Sequence, residues 1–474
     1  MPPATPETSD KHLLGRLRTD LGERSTYDAA SQCSRCGYCE QACPTYVVTS
    51  RESFSGRGRN QLVRSLLEGH LADPRHAEEA LSTCLLCGAC TSACYAHVPT
   101  ADLALEGRRM IRGGNIPFPM RILRRLFVDH PLLFSRALRL AYRARRFGLI
   151  RIPFAASILQ WLGLKGIKEA ERHAPPLPDT FLFEHLRDDP ELSSSVGSSR
   201  NACWNYFAAC GPNFIYPQVG LSTVRLLKET RGPGAFFNNP CCGLLFYNYG
   251  DLETARLLAR RNIENLETRN SFPPEDQNQA QALLYSDPQA PLIADCSSCA
   301  AYLKSYPQLF LNDPEWKERS ERFSARVRDI LELLPHQEKT PRDSFSMKKL
   351  FSSNAEYPLS SGIVTYHDSC RALHGQGIST APRSWLRWAL GPSNYAEMPE
   401  AGWCCGGAGA FSLIHPELSD QVLRQKISHI ASVQARLVVT SSTSCLIQLA
   451  HGLKKYYPEC RVAHISEIAA GSLN

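Results

Sequence analysis

The spacing of its cysteines constrains this chain more than any other feature. Cys33, Cys36, Cys39 and Cys43 read C-x₂-C-x₂-C-x₃-C with Pro44 following, and Cys84, Cys87, Cys90 and Cys94 repeat the run. In all, 19 cysteines stand among 474 residues, most at short regular intervals. Disulfide frameworks staple much smaller secreted chains, and residues 1–30 read as a polar arm without the apolar stretch of a secretory signal. With 43% hydrophobic and 21% charged residues, the composition is that of an ordinary globular protein that buries its cores without staples. Reduced thiolates bound to metal are therefore expected, in a cytoplasmic chain. No apolar run of about 18 residues is present to cross a bilayer; the longest candidate, residues 154–162, is short and lies between Arg151 and Lys165.

Runs of this spacing hold cubane [4Fe–4S] clusters in two-cluster ferredoxins. Three thiolates at intervals of three wrap the corners of one cube, and the fourth, displaced by about one helical turn, points at the neighbouring cube. The spacing thus assigns Cys33, Cys36, Cys39 and Cys94 to one cubane, and Cys84, Cys87, Cys90 and Cys43 to the other. Gly37 and Gly88 let backbone N–H groups approach the sulfurs. Tyr95 stands where a proline is usual, which touches loop geometry rather than ligation. Zinc also binds paired CxxC cysteines, but two complete crossed runs favour iron–sulfur. Arg57 and Arg59, between the runs, are expected as solvated side chains, with hydrogen bonding to cluster sulfur as the alternative.

Residues 196–340 and 341–474 read as two related halves. In each, short apolar strands alternate with helices, which argues for a parallel α/β sheet. Strands are expected at 202–210, 235–238 and 291–295 in the first half, and at 362–370 and 435–442 in the second. Helices are expected at 219–229 and 251–267, then at 382–390, 418–430 and 444–455. Ligand sites in such sheets lie beyond the carboxyl ends of the strands. Cys210, Cys241, Cys242, Cys296 and Cys299 fall there in the first half, and Cys370, Cys404, Cys405 and Cys445 in the second. Gly243 and Gly406, following the two CC pairs, permit the positive φ that aims adjacent thiolates into one site. Glycines crowding a cluster also account for GGAGA after Cys405, which lacks the full G-x-G-x-x-G of a nucleotide loop. His367, Asp368 and His374 flank Cys370; satisfied strand-end side chains are expected, with cluster tuning or proton relay as the alternative. Cys203 and Cys460 lie outside both sets and are expected as buried structural thiols. The fold expected is α+β overall: an arm over 1–30 with a short helix at 12–18, a helical two-cluster ferredoxin-like domain over 31–115, a helical connector over 116–195, then two tandem α/β domains.

The stretches CSRCGYCEQACPTY, CCGLLFYNYGDLETARLLARRNI, VTYHDSC and CCGGAGAF carry a family resemblance that runs in order over nearly the whole chain. The C…CCG…CxxC pattern resembles the cysteine-rich domain of heterodisulfide reductase subunits. Within that family the chain is most similar to the iron–sulfur subunits of glycolate oxidase and of lactate-oxidising complexes. The resemblance implies a noncubane [4Fe–4S] cluster on the five cysteines of the first half. The second half departs from the pattern, with Ser442 in the place of Cys296 and Ser369 where a proline is common. A conventional iron–sulfur cluster or zinc is expected on its four cysteines.

The chain shows no flavin or nicotinamide signature and no nucleophile–base constellation, so no catalytic residue is assigned and substrate chemistry is expected on another polypeptide. The resemblance implies one-electron relay from a flavoprotein subunit of a 2-hydroxyacid oxidase complex to quinone or another acceptor. The alternative is an enzyme that cleaves a disulfide at the CCG-bound cluster. An assembly scaffold is a third reading, against which the complete cysteine sets speak. Between Arg108 and Arg151 stand 12 arginines and one acid, Asp129, interleaved with leucine and phenylalanine. Such basic amphipathic helices pack on their own core with a solvated face, bind anionic membrane surfaces, or dock a flavoprotein partner. Nothing resembles a nucleic-acid-reading motif, and the net charge of +7 is too small at this length to imply one.

Overall fold

The computed structural model describes residues 12–71, 73–116, 118–146, 178–188, 202–236, 239–268, 290–334 and 362–471. The apolar stretch 154–162 and residues 1–11 of the arm lie outside them.

The described chain opens on an antiparallel hairpin, β1 (Arg16–Thr19) and β2 (Gly22–Ser25), where a helix was expected. Gly15 and Gly22 take positive φ of 73° and 88°, which a continuing helix excludes, and of the four β1 residues only Leu17 is buried. Ser25 then caps the helix Thr26–Ser31 by accepting from Asp28 N.

Around the two cysteine runs the chain is helical. Pro44 begins the helix Pro44–Thr49, with Cys43 as its N-cap. Ser55 caps Gly56–Leu67 by accepting from Gly58 N at 2.8 Å. Gly58 is required there, because a Cβ would stand 2.0 Å from the Glu52 carbonyl oxygen.

The helix Thr100–Arg112 carries three of the 12 arginines counted above, and they do not form a solvated face. Arg108 is buried and donates to the carbonyls of Leu81 (2.7 Å), Cys84 (2.7 Å), Ser82 (3.1 Å) and Asn248 (3.0 Å). Arg109 is also buried, pairs with Glu106 and lies over the Tyr247 ring at 4.7 Å. Arg112 reaches the Tyr249 carbonyl at 3.4 Å. Guanidinium forks satisfied by backbone oxygens thereby dock this helix on the segment that follows the first CCG turn.

The connector is described in part. Phe118–Arg124 runs into a π-helical turn, Arg125–Asp129, then the helix Pro131–Arg146; Leu182–Asp188 follows. Phe127, Phe134, Phe181 and Phe214 meet edge-on, with centroids 4.8–6.1 Å apart, and hold one face of these helices to the first α/β domain. The opposite face leaves Leu132, Leu133 and Leu140 exposed beside Arg136 and Arg143.

Two parallel sheets follow. The first has order β4-β3-β5-β6, with β3 Asn205–Phe207, β4 Ala235–Phe236, β5 Leu292–Ala294 and β6 Val327–Asp329. The second has order β7-β8-β9, with β7 Ile363–Tyr366, β8 Ala435–Thr440 and β9 Arg461–His464. β3 and β5 are buried along their whole length, as parallel strands between helices must be. The helices read from the sequence are present as Pro217–Arg231, Leu252–Glu267, Thr380–Leu390, Pro416–Ser432 and Thr443–Tyr456. Trp204, Tyr206 and Ile293 from the first domain share one core with Val364, Tyr366 and Val439 from the second. Cys460 is buried as expected, but Cys203 is exposed, at the mouth of β3 rather than inside it.

Candidate metal centres

None of the 19 cysteines is in a disulfide. Burial sorts the eight ferredoxin-type cysteines by the crossed assignment rather than by sequence run. Cys36 is exposed and Cys33, Cys39 and Cys94 are half-buried, whereas Cys43, Cys84 and Cys90 are buried and Cys87 half-buried. Burial, then the neighbouring charges of Cys84 and Cys43, pushes the Cys90 thiol up, which places the Cys43 sulfur beside the second run. Cys39 also feels Cys43, so that residue lies between the two groups. Gly37 and Gly88 take φ of 89° and 81°, the left-handed turns expected of them.

Arg59 proves to be an internal residue, not a solvated one. Its guanidinium donates to the Ala80 carbonyl (2.9 Å), Thr45 Oγ1 (3.1 Å), Thr83 Oγ1 (3.2 Å) and Cys43 Sγ (3.6 Å). A buried cation donating to a ligand sulfur favours the reduced, more negative state of a cluster. Arg57 stays near the surface, paired with Glu52 and Glu40.

The two CCG turns are built alike. Gly243 and Gly406 take φ of 92° and 82°. Their N–H groups donate to Cys241 Sγ and Cys404 Sγ, each at 3.4 Å. The second cysteine of each pair then meets the cysteine in the first turn of a following helix. Cys242 and Cys299 sulfurs are 3.3 Å apart, and Cys405 and Cys445 sulfurs 3.6 Å. Cys210 and Cys370 each open a helix after the first strand of their domain. Asn262 donates to the Cys241 carbonyl at 3.1 Å, and Tyr306 OH donates to the Cys242 carbonyl at 2.7 Å, holding the first turn in place. Hydrogen bonds from Cys241 and then Cys299 bring the Cys242 thiol down to about 6. A Cβ on Gly407 would lie 3.3 Å from Gln448 Cβ and the Ser444 carbonyl oxygen, and 3.5 Å from Cys405 Sγ.

The sites differ where the fifth cysteine is concerned. Cys296 caps the helix Ser297–Lys304 and is buried, with its sulfur 3.7 Å from Ser442 Oγ. Ser442 also bonds Ser298 at 2.7 Å, and Ser297 N donates to the Ser441 carbonyl at 2.9 Å. The loop that carries the fifth cysteine in one domain thus abuts the loop that lacks it in the other. Beside the second site, Lys426 is buried and donates to the carbonyls of Glu400 (2.6 Å) and Ala401 (3.0 Å), and burial brings it down to about 8. Asp368 forms a two-pronged pair with Arg383, at 2.8 and 2.5 Å. His374 bonds Ser92 Oγ at 2.8 Å. Both were expected as satisfied side chains and are so. The His367 ring is less well served: the Ala401 carbonyl approaches it, no ring hydrogen bond of good geometry forms among the described residues, and burial holds it well below the usual imidazole range.

One junction had no signal in the sequence. Cys87 and Leu85 pack with Cys404, Trp403 and Phe411. Burial, then the charge of Cys370, raises the Cys87 thiol well above its usual range. A Cβ on Gly88 would stand 3.2 Å from His374 Cβ. The more buried ferredoxin-type set therefore adjoins the second CCG set. Donor sets made of clustered, uncrosslinked sulfur fit soft thiolate-binding metal, iron–sulfur or zinc, and none of them suits a hard cation.

The 4Fe-4S dicluster domain model matches residues 29–98, which span all eight ferredoxin-type cysteines and imply two [4Fe–4S] clusters. The cysteine-rich domain model matches twice, at 204–304 and 364–450. Over 471 residues the chain is 25% identical to the "Probable glycolate oxidase iron-sulfur subunit" of Bacillus subtilis, covering 97% of this chain and 98% of that protein. It is 26% identical to the "Glycolate oxidase iron-sulfur subunit" of Escherichia coli over 426 residues, covering 88% of this chain and 89% of that one. "Lactate utilization protein A" of Geobacillus kaustophilus is 27% identical over 266 residues, 55% of this chain and 96% of that one. With the dicluster match enclosing both ferredoxin-type runs and each cysteine-rich match enclosing one CCG set, the chain is a glycolate oxidase iron–sulfur subunit-like protein, made of a 4Fe-4S dicluster domain and two cysteine-rich domains.

Proposed function

We propose that the chain carries electrons, one at a time, from a flavin-dependent subunit that oxidises a 2-hydroxyacid of glycolate or lactate type toward quinone or another acceptor. The names of its relatives support the substrate class. In this reading Cys33, Cys36, Cys39 and Cys94 hold one cubane, Cys43, Cys84, Cys87 and Cys90 the other, and the five cysteines of the first cysteine-rich domain a noncubane cluster. Bound there, iron–sulfur clusters supply reversible one-electron chemistry.

The graded burial of the cysteine sets carries the proposal. The first set opens to solvent at Cys36, and Tyr38 and Tyr95, next in sequence to Cys39 and Cys94, are 74% and 98% exposed. Exposed aromatic side chains are what a docking partner covers most profitably. The second set is buried behind it, and Cys87 adjoins Cys370 and Cys404. These residues line up a path from surface to interior. Within the first cysteine-rich site Cys242, Cys296 and Cys299 are buried and Cys210 is exposed; the names of the relatives, rather than burial, favour relay over disulfide cleavage.

The test is freeze-quench paramagnetic resonance on the complex with its flavoprotein partners, mixed anaerobically with glycolate or lactate. Reduced cluster signals are expected within one turnover. The double variant Tyr38→Ala, Tyr95→Ala is expected to slow their appearance about tenfold or more with iron content unchanged. Flavin turnover without any cluster reduction would overturn the relay.

A membrane surface is the second contact we propose. Among the described residues no helix is long and apolar enough to cross a bilayer. Leu132, Leu133 and Leu140 are 55–69% exposed on a helix whose solvent face also carries Arg136 and Arg143. Exposed leucines with arginines between them suit the headgroup boundary of an anionic bilayer. Co-sedimentation with phosphatidylglycerol vesicles is expected at low salt, weakened by added salt and abolished by Leu132→Ser with Leu140→Ser. Binding indifferent to both changes would refute it.

A further inference from the structure

His367 is fully buried; the Ala401 carbonyl approaches its ring, but neither ring nitrogen makes a hydrogen bond of good geometry. A polar ring sealed from water in this way is costly unless something other than protein satisfies it. The ring is placed where that could happen. One of its nitrogens and the sulfurs of Cys405 and Cys445 all lie within 4.8 Å of one another. Donors around a tetrahedral metal atom stand about 3.5–3.8 Å apart, given metal–sulfur and metal–nitrogen bonds of about 2.3 and 2.0 Å. A small contraction brings all three onto one atom.

The internal repeat supplies a second, independent observation. Cys210 and Cys370 open corresponding helices, and three residues before each stand Phe207 and His367. Cys299 and Cys445 lie in the first turn of corresponding helices, and three residues before each stand Cys296 and Ser442. The first domain has a phenyl ring and a thiol at these two places; the second has an imidazole and a hydroxyl. The donor missing at one place is regained at the other, so each site keeps five soft or borderline donors.

We propose that His367 ligates, through a ring nitrogen, the metal atom held by Cys405 and Cys445, making the second cysteine-rich site a centre of four sulfurs and one nitrogen. It rests on Cys370, Cys404, Cys405 and Cys445 holding metal at all. A neutral imidazole in place of a thiolate removes one negative charge from the centre, which moves an iron–sulfur potential upward. The second site would then accept electrons more readily than the first, and it is the one that adjoins Cys87.

The experiment uses the full chain, isolated anaerobically with its partner subunits and labelled with ¹⁵N-histidine. Iron and zinc are both quantified. If iron occupies the site, pulsed paramagnetic resonance is expected to show a directly coupled histidine nitrogen that changes with the label. If zinc does, absorption at the zinc edge is expected to show mixed sulfur and nitrogen neighbours. In His367→Cys, which keeps a donor in place, metal content is expected to hold while the nitrogen signature disappears. His367→Phe, copying the first domain, is expected to lower occupancy of this site alone. A metal-loaded site with no histidine nitrogen, or a nitrogen signature that survives His367→Cys, overturns the ligation. Metal content unchanged in Cys445→Ser overturns the site itself, and His367 ligation with it.

Discussion

Gly56→Val is expected to strip the chain of both cubane clusters, a loss of about eight irons at four per cluster, while leaving the cysteine-rich sites loaded. Gly56 opens the helix Gly56–Leu67 between the two cysteine runs. A Cβ there would stand 2.9 Å from Cys90 Cβ, 3.2 Å from Cys39 Sγ and 3.3 Å from Cys39 Cβ. In the proposed crossed assignment Cys39 belongs to one set and Cys90 to the other. A single added side chain therefore wedges against a ligand of each. Neither neighbour can swing aside, because a ligand sulfur has one position that serves its cluster. Valine is a better helix former than glycine, so weakened helix propensity cannot account for lost iron. Anaerobic iron analysis and the paramagnetic signals of the reduced protein make the measurement. Full iron with native signals in Gly56→Val would show that the two runs do not close around this glycine.

Much of this architecture was legible because its signals are local. The eight ferredoxin-type cysteines are spaced by two and three residues, and the CCG turns by adjacency plus a glycine, so the donor sets follow from short stretches of chain. Helices such as Leu252–Glu267 announce themselves through apolar periodicity. What was not legible depends on partners far away in sequence. β6 (VRD) and β9 (RVAH) are too short and too polar to read as strands; each exists because it pairs in parallel with a central strand, β5 or β8. Arg108, Arg109 and Arg112 looked like the start of a basic face. Their role became clear only when residues about 140 positions later supplied the carbonyls. Arg59 is similar: its burial is set by Ala80 and Thr83, which no local pattern near residue 59 announces. The adjacency of Cys87 to Cys370 joins segments nearly three hundred residues apart and decides which cysteine-rich site the buried cubane set meets.

Cys296→Ser separates the two cysteine-rich sites most sharply. The variant is expected to abolish the distinctive signal of the first site, with a loss of up to about four irons and the remaining clusters intact. The fold should tolerate the change. Cys296 lies 3.7 Å from Ser442 Oγ, and Ser442 already bonds Ser298 and Ser444, so a hydroxyl at this place joins an existing hydroxyl network. The position also caps Ser297–Lys304, where serine is a favoured residue. What the substitution removes is therefore a sulfur, and little else. Cys299 keeps its contact with Cys242 at 3.3 Å, leaving a four-thiol set with the spacing of the second domain but with Phe207 where that domain has His367. If His367 ligates as proposed, the converted site has fewer donors than either native one, and a loosely held cluster is the expected consequence. Cys203→Ser is the control, since Cys203 is exposed and outside every group; its iron and spectra should match the native chain. Full iron and an unaltered spectrum in Cys296→Ser would reduce Cys296 to an ordinary buried thiol and remove the difference between the two sites that its five cysteines imply.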